Sequence, residues 1–328
     1  MAFIALSLLL VGVTVLLYVF WKFSKADADI SLLLKPTPKR DHFKDKVVWI
    51  TGASSVIGEG VAKILARQGA RLIISSRNRE KLENVQMSLN NDCNVKVLAV
   101  DLSKLENPTD VVKQAWGMYG HIDVLVNSAG ISCRVPVEEM TGELLRTVME
   151  VDFFGQIALT QAVLPGMMER RCGQIVSIVS ILAKLDFPLR APLTAAKHAM
   201  NGYMSALRLD MVGNGISVCS IMPGPVSTNL SKNALLADGR AFGQTDNTIS
   251  TGMKVERCAE LIIKAMASNV KEAWICTQPN IFIMYASQYA PTLLKWMIRE
   301  KHVKATRSRL KSDLQQSVMA PQLSLLTN

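Results

Sequence analysis

The sequence predicts an α/β domain, a doubly wound parallel sheet, carried on an N-terminal transmembrane anchor helix. Three observations predict it. Residues 47–60, VVWITGASSVIGEG, read as a buried strand, a glycine turn and the start of a helix. Short β-branched runs then alternate with helical periodicity as far as residue 278, the rhythm of strands laid side by side with helices on both faces. Residues 1–21 are uncharged and almost wholly apolar. The expected organisation is an anchor at 1–21, a linker at 22–46, the α/β domain at 47–278 and an aromatic and basic extension at 279–328.

Composition narrows the function classes. With 328 residues, 49% of them hydrophobic, the chain can bury a large core. The net charge of +10 permits nucleic-acid binding, but the basic residues lack interleaved aromatics, so no nucleic-acid partner is expected. The six cysteines, Cys93, Cys133, Cys172, Cys219, Cys258 and Cys276, form no C-x-x-C pair and have no histidine at metal spacing. They read as core thiols, and no metal site is expected.

As a helix, residues 1–21 span about 30 Å, the thickness of a bilayer's hydrocarbon. A cleaved signal peptide is the alternative, but the stretch has no basic start, an overlong apolar run and no small-residue cleavage site. Tyr18 and Trp21 suit an interfacial belt. Lys22, Lys25, Lys39 and Arg40 follow, which places the main domain in the cytosol by the positive-inside rule.

In the first unit, strand Val47–Thr51 meets Gly52 and a helix expected to begin near Gly58. Such a turn aims backbone N–H groups and a helix N-terminus at a dinucleotide pyrophosphate. The second strand, 71–76, ends in Ser76-Arg77, with no carboxylate to take a ribose diol. An arginine there favours the 2′-phosphate of NADP(H) over NAD(H), unless Arg77 is simply a solvated residue opening the next helix. A third strand, 94–100, ends in Asp101-Leu102, and residues 111–119 are helical. The fourth, 122–126, runs into Asn127-Ser128-Ala129-Gly130. A central helix over 143–163 carries Asp152, a fifth strand over 173–180 ends at Ser180, and the segment 190–201, RAPLTAAKHAMN, carries Leu193 and Lys197. The sixth strand, 216–221, leads to Pro223-Gly224-Pro225-Val226-Ser227-Thr228. Residues 229–252 are polar and irregular, as suits a loop covering a substrate. Behind the aromatic segment 281–298 stand Arg299, Lys301, Lys304, Arg307, Arg309 and Lys311, which could rest on anionic headgroups.

These motifs, in this order, resemble the short-chain dehydrogenase/reductase (SDR) family, whose domain is of Rossmann type. The turn T-G-x-x-x-V-x-G matches the family's T-G-x-x-x-G-x-G except at Val56, and Asn-Ser-Ala-Gly matches its N-N-A-G except at Ser128. Pro223 to Thr228 matches its P-G-P-V-x-T. The resemblance implies that Gly52, Ser54, Ser55, Ile57 and Gly58 hold the cofactor diphosphate, Ser76, Arg77, Asp101 and Leu102 its adenosine end, and Asn127, Ala129, Lys197, Pro223, Gly224, Val226 and Thr228 the rest. It further implies that Ser180 orients a carbonyl and that Lys197 binds the nicotinamide ribose. In the family a tyrosine precedes that lysine by one helical turn and serves as general acid or base. Here the position is Leu193, which cannot transfer a proton. Thr194 and His198 are each rotated about 100° from that face, and Tyr203 reads as packing. Asp152 stands at the family's asparagine, and an ionised carboxylate only accepts hydrogen bonds where an amide also donates.

The anchor, Lys197-His198-Ala199 and the run ICTQPNIF look like the membrane-bound reductases of the endoplasmic reticulum within that family, with steroid, retinoid or other lipophilic carbonyl substrates implied. Two functions therefore stand. One is an NADP(H)-dependent oxidoreductase of lipophilic alcohols or ketones, with cofactor binding weakened by Val56 and turnover weakened or lost at Leu193. The other is a catalytically inactive binding or scaffolding protein. The longest helices of such folds commonly pair, so a homo-oligomer is compatible with either.

Overall fold

Val47–Thr51 forms β1, buried on both faces, at the middle of a seven-stranded parallel sheet of order β3-β2-β1-β4-β5-β6-β7. The computed structural model describes residues 2–89 and 94–292, with 294, 304, 308 and 312. Its other strands are β2 (Arg71–Ser76), β3 (Val95–Ala99), β4 (Val124–Asn127), β5 (Gly173–Ile178), β6 (Ile216–Pro223) and β7 (Glu272–Ile275). The seventh strand escaped the sequence reading because only Ala273-Trp274-Ile275 is apolar there, too short a run to separate from a loop. The helices are α1 (Ala2–Ser24), α2 (Ile30–Leu33), α3 (Val56–Arg67), α4 (Arg79–Ser88), α5 (Pro108–Tyr119), α6 (Gly142–Met149), α7 (Gly155–Glu169), α8 (Ala191–Asp210), α9 (Asn247–Ser250), α10 (Val255–Ala267) and α11 (Asn280–Tyr289).

Strand side chains alternate between two apolar layers, because successive residues of a strand point to opposite faces. Val48 and Ile50 pack with Val61 and Leu65 of α3 and Ile262 of α10, whereas Val47 and Trp49 pack with Val112 of α5, Leu159 of α7 and Met204 of α8. Register aligns Thr51 with Ser75 and Asn127, so the ends of the central strands form one ledge.

Several expectations are corrected. Helix α3 begins at Val56 rather than near Gly58, because Ser55 caps it and accepts the Gly58 N–H at 3.1 Å. The central helix over 143–163 is three pieces: α6, a π-helical turn at Glu150–Phe154 and α7, which continues to Glu169 through Pro165. Residues 22–46 are no free linker. Ala28 and Leu32 are fully buried, Asp29 N–H donates to Trp274 O at 2.9 Å, and Trp274 N–H donates back to Asp29 Oδ2 at 2.6 Å. The extension also starts inside the domain, with Ile281 and Met284 at 0% exposure. Cys133, Cys219, Cys258 and Cys276 are core thiols, and burial pushes the last three up to about 12, but Cys172 is exposed. Cys93, Trp296, Arg299, Lys301, Arg307, Arg309 and Lys311 lie outside the described residues.

Candidate active site

The turn after β1 is shaped by two glycines. Gly52 has φ +66°, and a Cβ there would lie 2.6 Å from the Ala129 backbone and 2.7 Å from Ser128 O. A Cβ on Gly58 would lie 2.4 Å from Gly52 O. Only glycine lets the turn close against both the end of β4 and the first turn of α3. The leading N–H groups of a helix have no intrahelical partner, so Val56 and Ile57 can offer theirs to a phosphate across Ser54 and Ser55. The half-buried Val56 side chain opens α3 at the same place and narrows the approach.

Beside this cradle, Ser76 ends β2 and Arg77 stands exposed. Asp101 accepts Ser103 N–H at 2.9 Å and Ser103 Oγ–H at 2.7 Å. Burial pushes its carboxyl up, but these bonds and the charges of Arg77 and Lys104 hold it below the ordinary value. Arg77 and Asp101 are therefore near neighbours at the expected adenosine end. The side chains of Leu102 and Asn127 face the interior. Leu102 packs in the core, and Asn127 is fully buried, donating from Nδ2 to Thr160 Oγ1 at 2.9 Å, so its side chain braces β4 against α7.

Beyond β6, Gly224 N–H donates to Ile275 O at 2.8 Å, and a Cβ on Gly224 would lie 2.5 Å from Cys276 Cβ. Val226 is buried and bridges to Met253, while Thr228 Oγ1 accepts Leu230 N–H at 3.3 Å.

At the opposite wall, Ser180 holds φ 133°, a strained value for a residue with a Cβ, and its Oγ accepts Leu182 N–H at 3.2 Å. Lys197 does not project freely. Its Nζ lies 2.8 Å from Asp152 Oδ1, with the two side chains 8% and 1% exposed. Asp152 Oδ2 also accepts Ile131 N–H at 2.9 Å. The π turn lifts Asp152 to this place beneath Gly130, where a Cβ would stand 2.8 Å from Asp152 Oδ1. Burial pushes the Asp152 carboxyl above its ordinary value, against the pull of Lys197 and the Ile131 N–H. Leu193 is 4% exposed and packs among Cys133, Val135, Val148, Leu182 and Ala196. Position 193 is thus hydrocarbon on every side that this cluster supplies. His198 is exposed, with Nδ1 3.0 Å from Thr194 O, and Tyr203 packs edge-on against Phe153.

One cluster was not anticipated. Asp246 is clamped between Arg134 and Arg190, the latter at 2.9 Å, with side chains 8%, 2% and 16% exposed. Burial and the Arg134 charge lower Arg190 to about 10 despite Asp246. Leu235 N–H donates to Ser132 O, and Arg134 N–H to Leu235 O, each at 2.8 Å. Residues 229–252 are thus stapled across the segment that follows β4. The partners of Asp246 lie 112 and 56 residues away, so no local pattern signals the cluster.

Comparison with known proteins agrees with this architecture. The family profile described as short chain dehydrogenase matches residues 46–238. The chain is 35% identical over 299 residues to human dehydrogenase/reductase SDR family member 7, covering 88% of each. Among solved structures, an actinorhodin polyketide ketoreductase with NADPH is 33% identical at TM-score 0.54, covering 56% of this chain and 72% of that one. A short-chain dehydrogenase from Streptomyces avermitilis is 26% identical at TM-score 0.67, covering 79% and 97%.

Proposed function

Because the chain belongs to the short-chain dehydrogenase/reductase family, we propose that it is a membrane-anchored, NADP(H)-binding member related to reductases of lipophilic ketones, steroids or retinoids, with weak or no turnover of its own. The observation that carries this reading is the sealed Asp152–Lys197 pair beside the apolar Leu193 cluster. The cradle of Gly52, Ser55 and Gly58 supports dinucleotide binding, and the NADPH held by the similar ketoreductase supports the choice of cofactor. Bound NADPH supplies a hydride. This chain's residues would hold it at the α3 N-terminus, with Arg77 beside the 2′-phosphate and Gly224 beside the carboxamide. Proton delivery fails, because Leu193 has no proton to give and Lys197 is neutralised by a carboxylate rather than set to lower a phenol's pKa.

In this reading the domain faces the cytosol, on the strength of the apolar α1 and the lysines behind it, and the membrane is that of the endoplasmic reticulum, as the resemblance implies. The second reading, a silent binding or scaffolding protein, is favoured by the same pair, which keeps a charged site closed without offering chemistry.

Titration of the purified protein with NADPH and NADH tests the proposal. NADPH is expected to bind about tenfold tighter, about 1.4 kcal/mol, and Arg77→Ala to erase the difference. Equal affinities in the parent would remove Arg77 from the argument, and no binding of either would remove the cofactor. Single-turnover mixing with a panel of ketones separates the two readings: slow NADPH oxidation marks a weak enzyme, and none at saturating cofactor marks a binding protein.

A further inference from the structure

The apolar helix α1 does not leave the domain through a tether. Phe23 packs edge-on against Tyr285 with ring centroids 5.8 Å apart, and Gln278 Nε2 donates to Phe23 O at 2.8 Å. Ala26 is already buried at 6% exposure, and Asp27 pairs with Arg257 at 2.7 Å. The direction in which α1 enters a bilayer therefore fixes which face of the domain meets its surface.

Around that exit lies an apolar patch. Tyr285 is its hub: the phenol accepts Ile30 N–H at 3.0 Å, and its ring stacks with Tyr289 at 6.2 Å. Phe282 stands one turn earlier on α11. Ile30 is 47% exposed, Leu33 37%, Leu34 80%, Phe282 45% and Tyr289 79%. Single exposed apolar residues are ordinary, but α2 and α11, the two short helices that flank the exit of α1, together carry five of them, and that makes a contact surface. Trp21 marks the interfacial level of α1, and Phe23 follows about 3 Å further along the axis. Tyr285, against Phe23, thus falls within about 5–10 Å of that level, the depth at which in-plane amphipathic segments settle.

We propose that α2 and the outer face of α11 form a second, in-plane contact with the lipid surface, seating the domain on the bilayer beside its anchor. This rests on the reading of α1 as a membrane helix. Cys276, just ahead of α11, abuts Gly224, so α11 starts at the same end of the sheet as the candidate active site.

The test uses the full chain in liposomes containing a phospholipid with a photoactivatable group near its headgroup, with cross-links mapped by mass spectrometry. Alkaline extraction of the same vesicles reports the anchor separately. The expected result is resistance to extraction together with labelling at 30–34 and 282–289 about tenfold above that of α4 at the far edge of the sheet, a contrast set by insertion against aqueous exposure. Leu34→Lys with Phe282→Lys, both at exposed positions, should cut the patch labelling and leave extraction unchanged. Resistance to extraction with an unlabelled patch overturns the proposal and leaves the anchor standing. Cross-linking of the patch to a second copy of the chain, in place of lipid, also overturns it. Complete extraction removes the anchor and the proposal with it.

Discussion

Lys197 shows how a buried charge is satisfied by a partner from another element. Buried at 6% exposure, it needs an anion, and Asp152 supplies one where an amide could not. Asp152→Asn alone should therefore strand the ammonium and destabilise the protein by about 3–5 kcal/mol, measurable by denaturant unfolding. The pH dependence follows from the raised Asp152 carboxyl. The folded state holds that proton more tightly than the unfolded chain, so stability falls as pH rises from about 3.8 through the folded value. Lys197→Met removes the opposing cation and should carry the fall to higher pH; an unchanged pH profile would show that Lys197 does not act on Asp152. Activity is the complementary readout. Leu193→Tyr with Val56→Gly should raise NADPH-dependent ketone reduction by at least about 10²-fold, the lower end of what a positioned acid supplies. Each change alone should do little, because a phenol without cofactor and a cofactor without a proton donor are both idle. Parent activity equal to that of the double variant would mean that another group delivers the proton.

At the scale of elements, two devices set the site. The π turn at Glu150–Phe154 re-aims Asp152, and it is seated by Gly155, where a Cβ would come within 2.4 Å of Leu102 O. Gly155→Ala should cost about 1–3 kcal/mol through overpacking against backbone that cannot yield. The other device is the Asp246 clamp. Replacing Asp246 by Asn leaves two buried guanidiniums facing each other, so the covering segment should open. Hydrogen exchange at residues 231–243 is expected to accelerate while the central strands stay protected. Uniform acceleration across the sheet would make the clamp a global strut instead of a local latch.

For the whole molecule, the seven-stranded sheet supplies the ledge and α1 is the candidate membrane span. Among the described residues, α1 is the one helix long and apolar enough to cross a membrane, with none of its apolar window buried. Protease added to sealed microsomes should digest the domain if it faces the cytosol. Full protection, or a glycan on the exposed Asn229 of the Asn229-Leu230-Ser231 sequon, would reverse the orientation.

The strand and helix rhythm, the glycine turn, the missing carboxylate after β2 and the leucine one helical turn before Lys197 were all legible in the sequence, because each rests on residue type at short spacing. Backbone sterics and hydrophobic period act locally, and so can be read locally. What only the tertiary structure decided were contacts between distant positions. The pairing of Lys197 with Asp152, the clamping of Asp246 by Arg134 and Arg190, and the docking of Asp29 on Trp274 each join residues separated by whole elements. A buried charge must find its counter-charge wherever the fold brings one, and that choice is made by the sheet order rather than by any stretch of chain.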